Sequence, residues 1–511
     1  MDHEVPALLV RVGHAPHNHG ALGVVRSLGR AGVPVYAMVE DPLTPTAVSR
    51  HLAGRFVVPT TGRESPDALV STLLTIGEAI GRPAVAVPTD DEAAVLLAEQ
   101  AGPLKERFLL PPVPPALPRT LTSKMGLHRL CAEAGVPTPR ACAPAGRAEL
   151  VAACRDMGYP VVLKNLEAYT RLAAPVVGHT TTVADEAELL ALVGSAEEPS
   201  VLVQEYIPPP EAEDWITHLY RGPDGTPLVL FTGFKVRSWP VRSGATCRAW
   251  SWPNTRLAAL AERLCREIGY CGLADLDWRF DRRDGRYKLV DFNPRTGAQF
   301  RLFASRHGVD VVRALYMHLT GQRVPEGGQL HGRMFVVGQL DVLSATIGAL
   351  QERRLPTAVL PRPGMERAWL SADDPLPGGG GGGTLRCHGR PAGHPPAAAA
   401  DLRVPAGGRT GAGRRPAGRH ARFRFRCSRF GRFRFGYACL VAAALIRRAA
   451  KPVPETKRSS GPNVGAAASP VKYRPGTDDS NPADSLGRPP AVTTRRRSSG
   501  LSRSSRPRST R

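Results

Sequence analysis

A parallel-sheet α/β domain, then an α+β region, then a disordered basic C-terminal tail: this is the fold class the sequence predicts, on three observations. Over the first hundred residues, short apolar runs alternate with segments of helical period, the pattern of a parallel sheet with crossover helices. Near residue 284 an Asp-Gly step lies between two strand-like runs and implies antiparallel pairing. The third observation is charge. Residues 378–511 hold 28 of the 68 basic residues and 5 of the 45 acidic ones, so the whole formal charge of +23 sits there.

The first 377 residues are therefore electrically neutral, which removes the case for a polyanionic partner that the total charge would make. The tail opens on six glycines (378–383) and closes on "TTRRRSSGLSRSSRPRSTR". With little periodicity to build a core, it is expected to be disordered. Inside it "ARFRFRCSRFGRFRFG" interleaves aromatic and Arg residues, a pattern able to stack on a single nucleic-acid strand; a nucleic-acid partner is confined to the tail. "YACLVAAALI" is too short to span a bilayer, and no membrane partner is expected. Arg, Gly, Pro and Ala are also what misread GC-rich coding DNA yields, an origin that the intact mass of the natural protein would test. Nine cysteines without a C-x-x-C pair fit a reduced compartment. The start, "MDHEVPALLVRVGHAPHNHG", puts acidic residues before a very short apolar run, unlike a secretory signal, so a cytoplasmic location is expected.

The elements follow in order. "ALLVRV" (7–12) reads as a buried strand, and Ala21, Val24, Val25 and Leu28 then share a helix face that Gly32 ends. "VPVYAMV" (33–39), "FVVP" (56–59) and "AVAVP" (84–88) are the next strands; Ser65 caps a helix with Pro66 at its first position. The turn after the first strand lacks G-x-G-x-x-G. His14, His17 and His19, on a loop without a nearby Cys or carboxylate, read as a solvated turn, and no cofactor is assigned to this domain.

"PPVPPALPR" (111–119) marks a boundary. Beyond it Thr122 is expected to cap a helix whose apolar face is Leu127, Leu130, Cys131 and Ala134, closed by Gly135 and Pro137. Lys124 then falls in the first turn, where a cation opposes the helix dipole unless an anion such as phosphate sits nearby. "GYPVVLKN" (158–165) runs an apolar strand straight into Lys164, and "VLVQEYIP" (201–208) repeats the pattern of an apolar strand broken by polar groups before a proline hinge. Asp214 opens the strand-like "DWITHLY". Leu257, Leu260, Ala261, Leu264 and Ile268 share one helix face, with Gly269 as cap.

"GLADLDWRF" (272–280) and "RYKLVDFN" (286–293) then flank "DRRDG" as a hairpin. Asp275 and Asp277 share one face of the first strand, Asp291 and Asn293 one face of the second, with Asp277 opposite Asp291 or one step off. Facing carboxylates repel and require protons, a basic partner or a divalent cation. Two carboxylates and an amide are oxygen ligands suited to hard Mg²⁺ or Mn²⁺, and Mg²⁺ shares phosphate oxygens. An acidic surface hairpin is the alternative from this segment alone.

Taken in order, Lys124, "GYPVVLK", "VLVQEYIP", the D-x-x-x-D strand and "DFNPR" resemble the ATP-grasp superfamily of carboxylate–amine ligases, over about residues 119–322 and closest to its D-aspartate-ligase-like and predicted carboligase branches. The resemblance implies a Rossmann-like pre-ATP-grasp domain over 1–118, an ATP-grasp fold over 119–322, an extension over 323–377 and the tail over 378–511. It implies ATP and Mg²⁺ (or Mn²⁺) as cofactors, small carboxylic acid and amine substrates as partners, and a homodimer as an allowed assembly. By the same resemblance Lys124 and Lys164 hold ATP phosphates, Gln204, Glu205 and Ile207 line the adenine hinge, and Asp214, or Glu211, binds ribose. Asp277, Asp291 and Asn293 carry the metal; Lys235 reaches the γ-phosphate and Arg295 steadies the acyl-phosphate.

Two departures from the family pattern stand out. The loop after Lys164, "NLEAYTRLAAPVVGHT", carries a single Gly178 where glycine-rich loops cover phosphate. Asp275 occupies a position where some of these ligases place an Arg, leaving Arg237, Arg242 or Arg301 as compensating cations. The alternative function is a nucleotide-binding protein without ligase turnover. "WPVRSGATCRAWSW" (239–252), following Lys235, is expected on the acceptor side.

Overall fold

The first strand, β1 (Ala7–Val10), is buried along its whole length. Its side chains alternate between two cores, Ala7 and Leu9 on one face and Leu8 and Val10 on the other, as a central parallel strand requires. The computed structural model describes residues 3–13, 18–166, 175–177, 180–225, 227–241, 244–353, 364–378 and 402–403. All lie within one compact unit, Met1–Arg424.

Helix α1 (His19–Arg30) follows β1, its first amides capped by Asn18 Oδ1 at 2.8 and 3.1 Å. Next come β2 (Val35–Val39), β3 (Leu52–Val57), α2 (Pro66–Ile80), β4 (Ala84–Pro88), α3 (Asp91–Glu99), α4 (Ala101–Leu104) and β5 (Phe108–Leu109). They form a parallel sheet ordered β3-β2-β1-β4-β5. Leu402–Arg403 adds a short parallel strand beside β3, and the rest of the expected tail beyond Gly378 lies outside the described residues. Ser65 caps α2 with Pro66 at its first position, as expected. β1 stops at Val10 rather than residue 12 because the Val12 and Gly13 amides turn to Asp90 Oδ2, each at 3.0 Å, instead of a neighbouring strand.

A short helix, α5 (Leu117–Thr122), precedes α6 (Lys124–Glu133). The cap of α6 is Ser123, whose Oγ accepts from the Gly126 amide, rather than Thr122; Thr122 ends α5 and donates to the Arg119 carbonyl. Then β6 (Ala141–Cys142), α7 (Arg147–Met157), β7 (Val161–Asn165), β8 (Thr180–Val183), α8 (Glu186–Val193) and β9 (Val201–Glu205) make an antiparallel sheet ordered β6-β9-β7-β8 over its own small core.

The largest sheet runs β10 (Ala212–Arg221), β11 (Pro227–Trp239), β12 (Ala245–Ser251), then after α9 (Thr255–Glu267) the hairpin β13 (Gly272–Asp281) and β14 (Arg286–Asn293). α10 (Val311–Leu319), β15 (Met334–Val336), α11 (Gly338–Gln351) and β16 (Glu366–Arg367) complete it, in the order β14-β13-β10-β11-β12-β15-β16. One face packs on α6 and α9 through Leu276, Trp278, Leu289 and Phe292. Phe231, Phe303 and Tyr316 join a core that continues into α1 and β1.

Residues 323–377 thus add strands to this sheet, and their last turn closes on α1. Arg26, fully buried, donates to Asp374 Oδ2 at 2.8 Å and to the carbonyls of Ala368, Trp369 and Asp374, while Ser49 and the Arg50 amide also bond Asp374. No described helix is long and apolar enough to cross a membrane.

Candidate active site

The hairpin β13–β14 sets the site. Its register pairs Asp277 directly with Asp291 and Asp275 with Asn293, then shifts by one residue so that Trp278 meets Leu289. Val290 is the extra residue of a β-bulge. Leu289 and Phe292 both reach the apolar core although three positions apart, which only a bulge permits. By alternation, Asp275, Asp277 and Arg279 share a face with Asp214, Ile216 and His218 of β10.

Three lysines arrive from three elements. Lys124, first residue of α6, bonds Asp291 Oδ1 at 2.6 Å; Lys235, on β11, lies 2.6 Å from Asp277 Oδ1. Lys164, at the end of β7 in the small sheet, donates to the Val290 carbonyl at 3.2 Å, the carbonyl that the bulge releases from the ladder. Asp277 and Asp291 remain 28 and 30% exposed, so both face an open cleft.

The electrostatics follow from burial and proximity. Burial, and then Lys124, push the Lys164 ammonium down to about 8 despite Asp291. Burial would raise the Asp291 carboxyl, but Lys124 and Lys164 outweigh it and hold it at about 2. Asp277 is raised, by burial against Lys235 and with Asp275 and Asp291 nearby. For Lys124 and Lys235, the facing carboxylates overcome burial and raise both.

Arg295 sits beside this pair with four acceptors. Its Nε donates to Asp91 Oδ1 at 3.1 Å, Nη1 to Asp275 Oδ2 at 3.4 Å and the Thr296 carbonyl at 3.1 Å, and Nη2 to Asn293 Oδ1 at 2.9 Å. Asp275 is buried, with Oδ1 2.9 Å from His218 Nε2, so a buried His–Asp contact fills the space at this position.

Of the sequence-predicted residues, Lys124, Lys164, Lys235, Asp277, Asp291, Asn293 and Arg295 converge here. Gln204 and Ile207 are buried at the end of β9 and just beyond it. The Glu205 side chain bonds Arg283 at 2.6 Å and the Arg140 amide at 3.2 Å, and its amide donates to the Arg140 carbonyl; the acid is committed to holding the strand end to the hairpin tip. Asp214 faces Arg279 at 3.7 Å and acts on Lys235.

Two of the expected compensating cations are engaged elsewhere. Arg237, with Arg248, grips buried Asp341, and Arg301 contacts Glu366 and the Arg367 carbonyl. Arg242, the Gly178 position and most of the loop after Lys164 lie outside the described residues, as do His14 and His17. His19 is not in a solvated turn. It opens α1 and packs near Phe335 and Trp369, and burial pushes its imidazole down to about 4.

Sequence reasoning missed Asp91, His218 and Arg279. Arg279 was legible, two residues beyond Asp277 on the same strand face. Asp91 and His218 are distant in sequence and carried no such signal.

Asp277, Asp291 and Asn293 offer hard oxygen atoms, and that donor chemistry fits Mg²⁺ or Mn²⁺. Among the described residues no three His, Cys, Asp or Glu side chains converge on one point; beside the two carboxylates stands the Asn293 carboxamide, whose Oδ1 accepts from Arg295 at 2.9 Å. A carboxylate pair faced by three lysines and an arginine can bind a metal–triphosphate and stabilise charge developing on it.

No family model matches the sequence. The chain is 22% identical over 309 residues to D-aspartate ligase of Enterococcus faecium (strain Aus0004), a match covering 57% of this chain and 72% of that protein. Among solved structures it is similar to the N5-carboxyaminoimidazole synthetase from Staphylococcus aureus complexed with ADP, with a TM-score of 0.50 and 12% identity over 69% of this chain and 87% of that one. An ADP complex of N5-carboxyaminoimidazole ribonucleotide synthetase gives a TM-score of 0.49 and 14% identity, covering 68% of this chain and 85% of that one.

Proposed function

The chain has the ATP-grasp fold, and from that premise we propose an ATP-dependent ligase that activates a small carboxylic or amino acid as an acyl-phosphate and couples it to an amine, releasing ADP and phosphate. On this reading residues 1–118 are the Rossmann-like domain, 119–322 the ATP-grasp module, 323–377 its extension and 378–511 a tail. The observation that carries the reading is the facing pair Asp277 and Asp291, each met by a lysine from a different element.

A carboxylate and a triphosphate repel, so a site that joins them must supply cations and hold the reacting groups in line. Lys124 and Lys164 are assigned to the ATP phosphates, Gln204, Glu205 and Ile207 to the adenine side, and Asp214 to ribose. Asp277, Asp291 and Asn293 would hold Mg²⁺, which would neutralise phosphate charge. Lys235 is assigned to the γ-phosphate. Arg295, fixed by four acceptors, presents a preorganised cation to the acyl-phosphate and to the tetrahedral species formed when the amine attacks its carbonyl carbon; that species then loses phosphate and the amine proton to give the amide.

The relative's name makes D-aspartate the first acid to test. Incubation of the chain with ATP, Mg²⁺, hydroxylamine and a panel of acids should yield a hydroxamate, identified by mass, together with phosphate. Neither product across the panel would overturn the proposal.

A further inference from the structure

We propose that Asp91, on the first sheet's α3, is a positioning residue for Arg295, and that the switch-point crevice of that sheet seats the arginine loop. This rests on the ligase reading above and deepens it.

In open α/β sheets the crevice at the carboxyl ends of the strands, where strand order reverses, is the usual ligand site. Here the reversal lies between β1 and β4. At the end of β1, the Val12 and Gly13 amides that could meet a phosphate are taken by Asp90 Oδ2. Over the same edge lies the loop that follows β14. The Thr296 amide donates to the carbonyl of Pro88, last residue of β4, at 3.3 Å. On the other side, α1 packs so closely that a Cβ on Gly20 would come within 2.9 Å of Ala298 Cα. The loop is therefore held from both sides of the crevice.

Asp91 completes this seat. It is the first residue of α3, where the helix dipole favours a carboxylate, and its side chain is 39% exposed to solvent, with Oδ1 3.1 Å from Arg295 Nε. The other acceptors of the guanidinium, Asp275, Asn293 and Thr296, come from the hairpin and the loop itself and bind the two Nη atoms. Asp91 takes Nε, the third side of the planar fork, so it fixes the rotation of the group about its long axis. The first sheet thereby acts on the reaction through one ion pair, without touching the substrate.

The test compares Asp91→Ala, Asp91→Asn and Asp91→Glu with the wild-type chain in saturation kinetics of phosphate release, together with hydrogen exchange at Arg295 Nε–H by ¹⁵N NMR. For Asp91→Ala, kcat should fall roughly tenfold to a hundredfold, the range expected of a misplaced catalytic group. KM for ATP should stay within about twofold, because the lysines hold the phosphates. Exchange at Nε–H should speed up, and Asp91→Glu should recover part of kcat. Should Asp91→Ala fail to fold, the near-isosteric Asp91→Asn carries the same comparison. An active wild-type chain whose Asp91 variants keep full kcat, or unchanged Nε–H exchange, sinks this proposal and spares the ligase. A wild-type chain that turns over no acid–amine pair sinks the ligase reading, and this one with it.

Discussion

Lys164 is the least comfortable side chain in the site, a buried ammonium with a second lysine nearby and, among the described residues, a backbone carbonyl as its hydrogen-bond partner. Its pKa of about 8 lies below the unfolded value of 10.5, so between those values the unfolded chain holds a proton that the folded chain has released. Stability contributed by this residue is thus lowest below pH 8 and improves as pH rises from 8 toward 10.5. Lys164→Met should therefore raise Tm at pH 7, with the gain shrinking toward pH 10, while abolishing ATP-dependent phosphate release. A drop in Tm at pH 7, measured by calorimetry, would contradict this account. In the wild-type chain without that substitution, nucleotide affinity measured by titration calorimetry should weaken as pH is raised through 8. The lysine was visible in the sequence as a charge closing an apolar strand. Its partner was not, because Val290 lies on another sheet.

At the scale of elements, the bulge in β14 decides what the hairpin presents. A regular strand would place Leu289 and Phe292 on opposite faces; the extra residue lets both enter the core and keeps Asp291 facing Asp277. The "DRRDG" turn made the hairpin legible, and the two possible registers were both open until packing chose one. The loop after β14 is equally constrained. A Cβ on Gly297 would lie 2.2 Å from His218 Cε1 and 2.6 Å from Asp275 Cγ. Gly297→Ala should cost about 1–3 kcal/mol in urea denaturation by overpacking. It should also lower kcat by displacing Asp275 from Arg295; unchanged stability and kcat together would refute the close approach. Nothing in "DFNPRTGAQ" says that its glycine meets a histidine from β10, since that contact depends on how two distant strands pair.

For the whole molecule, the clasp between Arg26 and Asp374 joins the first helix to residues some 350 positions later. Both groups are almost wholly buried, so removing one leaves an uncompensated charge. Asp374→Ala should destabilise by about 3–5 kcal/mol, read as a shift in denaturation midpoint, and a change under about 1 kcal/mol would show the pair to be dispensable. The charge division makes a separate prediction. A chain ending at residue 377 should keep MgATP binding by calorimetry, while any retention of nucleic acid by the full chain should vanish with residues 378–511. Loss of MgATP binding on that deletion would move part of the site into the tail.

The sequence by itself determined the alternation of strands and helices, the caps at Ser65 and Gly269, the division into a neutral region and a basic tail, and the residue types of a metal–triphosphate site. These are local properties, set by side-chain period, turn chemistry and charge within a few residues. Only the tertiary structure decided that Asp277 opposes Asp291, that Lys124 and Lys235 meet them, that Lys164 reaches the Val290 carbonyl beside them, that Glu205 is occupied by Arg283, and that Asp91 reaches Arg295. Each of those depends on strand register and sheet packing between segments far apart in the chain, where the energy is that of buried area and paired charge and leaves no short-range pattern to read.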